Sequence, residues 1–466
     1  APHRGQFAET YNPADGAVVG QTAQATASDV DAAVKTAAEA FKSWRKTKPA
    51  ERAELLRKAA AILRDNAEEL AMLDALNTGN PVAEMVADAK IAAANLEYFA
   101  GIATEAKGQT IPMGDGNLNY TQLEPLGVVV RVVAYNHPLM FAGQKLGAPL
   151  AAGNTVIIKP SEQAPLSAIR MAELIGGVFP PGVVNVLTGS RECGEALTAH
   201  PLVKKITLIG STATGKAIVR GGADSLKQVL LELGGKNPLI AYPDADLDKL
   251  ADGIVRGMNF TWAGQSCGST SRVFLHDDIH DEVLVRVLEI VARRHKPGIP
   301  TDWTTTMGPV ISRAHHERVL NYIEISKREG ARLVAGGKKP SDPELANGYF
   351  IEPTIFTDMR ADMTIAKEEI FGPVMAVFRW DDEDEVFRIA NGLEYGLTAS
   401  IWTSNITMAH RAASRVESGY IWINNVSQHF LGAPFGGYKS SGIGREESID
   451  ELLDFTQVKN VNVKLM

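Results

Sequence analysis

Five short apolar runs alternate with helical stretches between residues 127 and 233, and this alternation constrains the fold more than any other feature. The runs are 127–134 (GVVVRVVA), 155–158 (TVII), 183–187 (VVNVL), 205–209 (KITLI) and 228–233 (QVLLEL). Their apolar residues are nearly continuous, so both faces of each strand must be covered. That is the signature of a parallel sheet with helices on both sides, linked by crossovers such as 167–178. A second cycle follows residue 250: helical segments 281–294 and 314–329 alternate with strand-like runs 271–275, 374–378, 398–402 and 419–424. At 466 residues the chain is long enough for two or three domains. No internal repeat is visible.

The N-terminal hundred residues read as helical. Ser28 followed by Asp31 fits a capping box, and Val30, Val34, Ala37, Ala38 and Phe41 recur at helical spacing. A second helix opens after Pro49, carries Leu55, Leu56, Ala59, Ile62 and Leu63, and runs to about Leu76 before the breaker at 77–81. At the other end, 455–464 (FTQVKNVNVK) alternates as an exposed edge strand does. Such a strand pairs with a second chain or closes its own sheet.

Composition narrows the function. A net charge of −8 disfavours a protein that works by neutralising nucleic-acid phosphates. The two cysteines, Cys193 and Cys267, make no disulfide framework and point to a reducing compartment. The first residues lack the apolar segment of a secretory signal, and no run approaches the roughly 18 apolar residues of a membrane span. The expectation is a cytoplasmic protein with no nucleic-acid or membrane partner.

Five motifs carry candidate chemistry. Gly264-Gln265-Ser266-Cys267-Gly268-Ser269-Thr270 sets a cysteine among small residues, where a substrate can approach a thiolate nucleophile. The alternative is an inert buried thiol, which is how Cys193 reads. In Leu231-Glu232-Leu233-Gly234-Gly235-Lys236-Asn237-Pro238 a glutamate ends an apolar strand. Burial there raises its pKa into the range of a general base, whereas pairing with Lys236 makes it merely structural. Tyr135-Asn136-His137-Pro138 offers an amide to a developing oxyanion, or simple turn chemistry.

The remaining two motifs suit a nucleotide. Lys159 and Glu162, at the C-terminal end of the TVII run, match the two hydroxyls of a ribose, and the glutamate repels a 2′-phosphate. NAD is therefore favoured, with NADP a weaker cofactor. The competing reading is a solvated loop salt bridge. Gly210-Ser211-Thr212-Ala213-Thr214-Gly215-Lys216 opens a helix whose N-terminus suits a phosphate, or is an ordinary cap. It falls short of a nucleotide-triphosphatase loop, since position 217 is alanine where a magnesium-binding hydroxyl belongs. The dinucleotide fingerprint GxGxxG is absent.

In this order on one α/β chain, the motifs closely resemble the aldehyde dehydrogenase superfamily over nearly the whole length. Residues 368–373 (EEIFGP) and 434–442 (PFGGYKSSG) look like further signatures of it. The resemblance implies a Rossmann-like NAD-binding domain (1–106 and 126–235), an α/β catalytic domain (236–445) and a small β oligomerisation element (107–125 and 446–466). It implies Cys267 as nucleophile and Glu232 as base. The Asn136 amide and the Cys267 backbone N–H form the oxyanion hole, and Lys145 and Glu446 relay protons. For the cofactor it implies Lys159 and Glu162 on the adenosine ribose, and Ser211, Gly210 and Gly215 at the pyrophosphate. Glu369 takes the nicotinamide ribose, with Phe371 and Tyr135 near the ring. No metal is implied, and the partners are a small-molecule aldehyde and further copies of the chain, as homodimer or homotetramer.

The substrate tunnel implied by the resemblance comprises His137, Met140, Phe141, Gln144, Trp262, Ser266, Gly268, His429 and Phe435. Three positions depart from common members: Tyr135 where tryptophan is usual, Trp262 where asparagine is frequent, and Gln144 where an aromatic is frequent. With no Arg, Asp or Glu in that lining, a medium-sized apolar or aromatic aldehyde, including a hydroxylated one, fits better than an anionic semialdehyde, an aminoaldehyde or betaine aldehyde. A coenzyme-A-acylating member needs no water-activating base, so Glu232 argues against it. A silent structural protein on the same fold needs none of the three reactive residues.

Overall fold

The computed structural model describes residues 5–465. Two twisted sheets organise it. In the first, strands β1 (Val128–Val132), β2 (Thr155–Lys159), β3 (Val184–Val186), β4 (Val203–Ile209) and β5 (Gln228–Glu232) are mutually parallel in the order β5-β4-β1-β2-β3. The chain leaves β1 for β2 and β3, then crosses back to β4 and β5. This puts a topological switch point beside the C-terminal end of β1, where open α/β sheets bind ligands. The continuous apolar runs behave as their composition requires. Val128 and Val130 join one buried cluster and Val129 the cluster on the opposite face. The chain is Rossmann-like α/β.

The second sheet holds β6 (Pro238–Ala241), β7 (Arg272–His276), β8 (Arg332–Ala335), β9 (Thr354–Thr357), β10 (Val374–Trp380), β11 (Thr398–Trp402) and β12 (Tyr420–Ile423), ordered β8-β9-β10-β7-β6-β11-β12. All neighbours are parallel except β8 and β9. A third, three-stranded sheet pairs Thr456–Lys464 with Asn117–Pro125, and the latter with Thr110–Ile111. Among the described residues Thr456–Lys464 has a partner on one side only. The strand Gly442–Ile443 returns to the first sheet and runs antiparallel to β5.

The helices correct two expectations. The first spans Ala27–Trp44, and its cap is Thr26 with Asp29 rather than Ser28 with Asp31. Thr26 N–H donates to Asp29 Oδ2 at 2.8 Å, while Thr26 Oγ1 accepts from the Asp29 N–H at 3.4 Å. The second stretch is two helices, Pro49–Asp65 and Ala67–Thr78, broken at Asn66, whose amide donates to the Ile62 carbonyl at 2.8 Å. The latter ends at Gly79 in the left-handed region (φ +83°), as a glycine stop allows. A further helix, Val82–Gly101, presses Met85, Ala89, Ala92 and Leu96 into buried clusters beneath the first sheet. No helix among the described residues is long and apolar enough to cross a membrane.

Candidate active site

The strand ends of the first sheet face the loop that carries Cys267. Glu232 is the last residue of β5; the Gly234-Gly235 pair then lets the chain pass close to that loop before β6 begins. Asn237, in the same motif, clamps the loop: its Nδ2 donates to the Cys267 carbonyl at 2.7 Å and to the Ser269 carbonyl at 3.0 Å. Its Oδ1 accepts from the Thr398 N–H at 3.1 Å. Gln265 pins the other flank, accepting from the Ile311 N–H at 3.0 Å and donating to the Trp262 carbonyl at 3.2 Å. Gly264 holds a positive φ of +67°, and a Cβ there would overlap the Gly372 carbonyl. The cysteine is therefore carried on a loop fixed by the second sheet and its connections.

Cys267 and Glu232 sense one another. Burial pushes the Glu232 carboxyl up to about 7, partly offset by its interaction with the Cys267 thiol. Burial and the Glu232 charge hold the thiol well above its ordinary value, and the Gly268 N–H opposes this. Glu232 is 4% exposed, its Oε1 has no hydrogen-bond partner, and no ion pair joins it to Lys236. A buried carboxyl oxygen left unpartnered costs free energy, and such costs concentrate at reacting sites. Cys193 is fully buried, its thiol raised to about 11 chiefly by burial.

Asn136 lies four residues beyond β1, buried, its backbone carbonyl accepting from Asn80 Nδ2 at 2.7 Å. Its own Oδ1 is unpartnered, so no protein contact fixes which way the amide nitrogen points. Lys145 donates to Glu446 Oε2 at 2.7 Å, and Arg131 donates to Glu446 Oε1 at 3.0 Å and to Glu451 Oε1 at 3.1 Å. All four side chains are buried. The charges of Glu446 and Lys145 reach Glu232, raising and lowering its pKa respectively.

At the candidate cofactor positions, Lys159 ends β2. It is buried, with one long hydrogen bond, 3.4 Å to the Pro160 carbonyl, so the ammonium has donors to spare. Glu162 is exposed and forms no ion pair with Lys159, so the solvated-salt-bridge alternative does not hold. Ser211 caps the helix Thr212–Gly222, accepting from the Thr214 N–H at 3.2 Å. Gly210 directly precedes that cap. A Cβ on Gly215 would come within 2.8 Å of Leu233, so glycine seats this helix against the segment after β5. Glu369 Oε1 accepts from the Gly235 N–H at 3.0 Å, and the Phe371 and Tyr135 rings meet edge-on at 6.0 Å.

The nine residues expected to line a tunnel fall into groups. His137 packs edge-on against Phe141 and Trp262 at 5.7 and 5.0 Å. Met140, Phe141 and Gln144 share the helix Pro138–Gln144, with Met140 half-buried and Gln144 buried. Ser266 and Gly268 flank Cys267. His429 lies on Phe435 at 4.5 Å. Sequence reasoning missed Asp88, 2.7 Å from His137, and Glu447, 3.0 Å from His429. Two carboxylates thus stand directly behind a lining that read as free of acids. It also missed Arg131 and Glu451. A signal existed for two of these: Arg131 is a lone charge in GVVVRVVA, and Asp88 interrupts the apolar stripe of its helix.

A fixed cysteine beside a buried carboxyl, at the C-terminal strand ends of a Rossmann-like sheet, defines a site built around a thiol. The model of the aldehyde dehydrogenase family matches residues 1–461, and the chain belongs to that family. Its similarity extends to the aldehyde dehydrogenase tropH of Talaromyces stipitatus, at 57% identity over 98% of this chain and 90% of that protein. PnpE, known from Pseudomonas sp. WBC-3, in complex with nicotinamide adenine dinucleotide, superimposes with a TM-score of 0.97 at 42% identity. The NAD+ complex of a Bacillus cereus aldehyde dehydrogenase gives 0.96 at 43%. Both cover all of this chain, which spans 95% of each of them.

Proposed function

We propose that this protein oxidises an aldehyde to the carboxylic acid with NAD+, through a thiohemiacetal and then a thioester on Cys267. The observation that carries the reading is the Cys267 thiol hydrogen-bonded to a buried Glu232 carboxyl, one of whose oxygens has no partner and whose pKa burial pushes up to about 7. Near neutrality Glu232 divides between acid and base, which suits a group that both takes and returns protons.

The residues present fit the dinucleotide. The under-satisfied Lys159 ammonium and Glu162 would hold the adenosine ribose. Ser211, with Gly210 and Gly215, would present the helix N-terminus to the pyrophosphate. Glu369 would take the nicotinamide ribose, with Phe371 and Tyr135 beside the ring. When bound, NAD+ supplies a hydride acceptor. The Glu162 carboxylate would repel the 2′-phosphate of NADP, which makes NADP the weaker cofactor.

The chain's own residues do the rest. Cys267 gives its proton to Glu232, and its sulfur bonds to the aldehyde carbon. The carbonyl oxygen becomes an oxyanion, held by the Asn136 amide and the Cys267 backbone N–H. After oxidation the carbon remains as a thioester. Lys145 and Glu446 carry the first proton away from Glu232. Glu232 then takes a proton from water as the hydroxide adds to the thioester carbon; the C–S bond breaks, and the proton of the carboxylic acid passes to the departing sulfur, so that the carboxylate leaves and the Cys267 thiol is restored. A base poised for water supports hydrolysis over transfer to coenzyme A.

The proposed domain division keeps residues 1–106 and 126–235 as the cofactor unit, 236–445 as the catalytic unit, and 107–125 with 446–466 as the oligomerisation element. The open side of Thr456–Lys464 supports subunit pairing in a homodimer or homotetramer. An aldehyde panel with NAD+ and NADP+ in parallel, read by absorbance of the reduced cofactor, tests the activity. Cys267→Ala is expected to abolish turnover. NADH formation that survives this substitution would remove Cys267 from the reaction.

A further inference from the structure

Two histidines of the tunnel lining are held by carboxylates through the same ring atom. His137 Nδ1 lies 2.7 Å from Asp88 Oδ2. His429 Nδ1 lies 3.0 Å from Glu447 Oε2 and 3.2 Å from Oε1. An ionised carboxylate only accepts, so Nδ1 carries the proton in both rings; Nε2 is then an open acceptor in the neutral ring and an open donor in the imidazolium, the form that burial opposes but Glu447 favours at His429. Neither Nε2 makes a hydrogen bond among the described residues; His137 is buried and His429 is partly open to solvent. Buried His280 engages both nitrogens, Nδ1 with Asp281 at 3.0 Å and Nε2 with Thr357 Oγ1 at 3.2 Å.

Aromatic walls fix both imidazole planes: Phe141 and Trp262 around His137, Tyr420 and Phe435 around His429. Both rings belong to the reacting end of the site. His137 follows Asn136 directly and touches Trp262, on the loop that carries Cys267. His429 and Glu232 each feel the other's charge.

We infer that the Asp88–His137 and Glu447–His429 pairs select an aldehyde bearing hydroxyl groups, taking its apolar frame between the aromatic walls and hydrogen-bonding its hydroxyls at Nε2. The inference rests on the dehydrogenase reading above and adds a substrate class to it. An oriented hydrogen-bonding edge rejects an analogue that lacks the partner group, because the edge is then left desolvated and unpaired. Each carboxylate is spent on its histidine, so neither stands bare for an ammonium group.

The test compares kcat/KM for benzaldehyde and its three monohydroxy isomers with NAD+. The wild type is expected to favour at least one hydroxylated isomer by about tenfold or more. His137→Phe or His429→Phe should bring that ratio down, and Asp88→Asn or Glu447→Gln should reduce it less, since the ring stays while its tautomer is released. Ratios near one for every isomer in the wild type overturn the inference, as does a preference that survives both phenylalanine variants. Should a phenylalanine variant not fold, the glutamine variant at that position is measured instead. Calorimetric binding of the same aldehydes to the wild type reads the ratio without turnover. Its failure is thereby distinguishable from failure of the dehydrogenase reading, which shows as absence of NADH.

Discussion

Lys145 donates to Glu446 Oε2 across 2.7 Å, 301 residues away along the chain, with both side chains cut off from solvent. The other Glu446 oxygen belongs to Arg131, which also holds Glu451. One carboxylate thus carries a cation on each oxygen, and removing Arg131 leaves Glu446 with Lys145 alone and Glu451 with no cation. Arg131→Met is expected to destabilise the protein by about 3–5 kcal/mol, and Arg131→Lys to recover part of that. Urea unfolding of the three proteins measures it. A loss under about 1 kcal/mol would mean that water relieves the stranded charges.

The Glu232 carboxyl gives a pH signature of definite sign. Its folded value of about 7 lies above an ordinary 4.5. Between those values the folded protein keeps a proton that the unfolded chain releases, so stability falls as pH rises through the window. Glu232→Gln removes that cost. The variant should gain up to about 3 kcal/mol over wild type near pH 8 and almost nothing near pH 4. Thermal unfolding at the two pH values checks this, and an equal difference at both contradicts it. The same variant should accumulate the acyl-enzyme, because hydrolysis suffers more than hydride transfer; a normal steady-state rate removes Glu232 from the base role.

Gly234 lies against Glu369, and a Cβ there would overlap the Glu369 carboxylate. Gly234→Ala must displace that side chain. The expected outcome is a KM for NAD+ raised by about tenfold or more, the loss of roughly one charge-assisted hydrogen bond. Cofactor titration at saturating aldehyde measures it. An unchanged KM would take Glu369 out of cofactor binding.

The sheet formed by Thr456–Lys464 and Asn117–Pro125 leaves Val458 68% exposed, with Leu118, Ile111 and Met113 also open to solvent. Exposed apolar side chains beside an unpaired strand mark a surface for another copy. Val458→Lys should shift the mass measured by light scattering toward the monomer. Unaltered mass, or a monomeric wild type, tells against pairing through this edge.

Most of the scaffold was legible because its strands are short, apolar and flanked by turn chemistry. Strands β6, β8 and β9 of the second sheet escaped, each only four residues long with no distinctive run. The capping box was read two residues late because Ser28/Asp31 and Thr26/Asp29 share one pattern. Geometry chooses Thr26, whose N–H and hydroxyl both reach Asp29. Cys267, Glu232 and Asn136 were legible since each sits in a local motif. The partners of Arg131 were not: Glu451 lies 320 residues away, and no local spacing encodes such a meeting. Asp88 and Glu447 were hidden for the same reason, since their meaning depends on which histidine they face.

The short strand Gly442–Ile443 lies along the open edge of β5, the strand that carries Glu232. Just before it, Ser441 accepts from the Leu233 N–H through its carbonyl at 2.9 Å and donates its hydroxyl to the Gly234 carbonyl at 2.7 Å. On the ribosome, everything from β1 to β5 is made more than two hundred residues before the piece that closes their edge. A growing chain therefore displays an unfinished sheet edge until position 442 is made, and only then does the backbone of Glu232 gain its outer neighbour. The last strand to join this sheet is thus made long after the strands it covers.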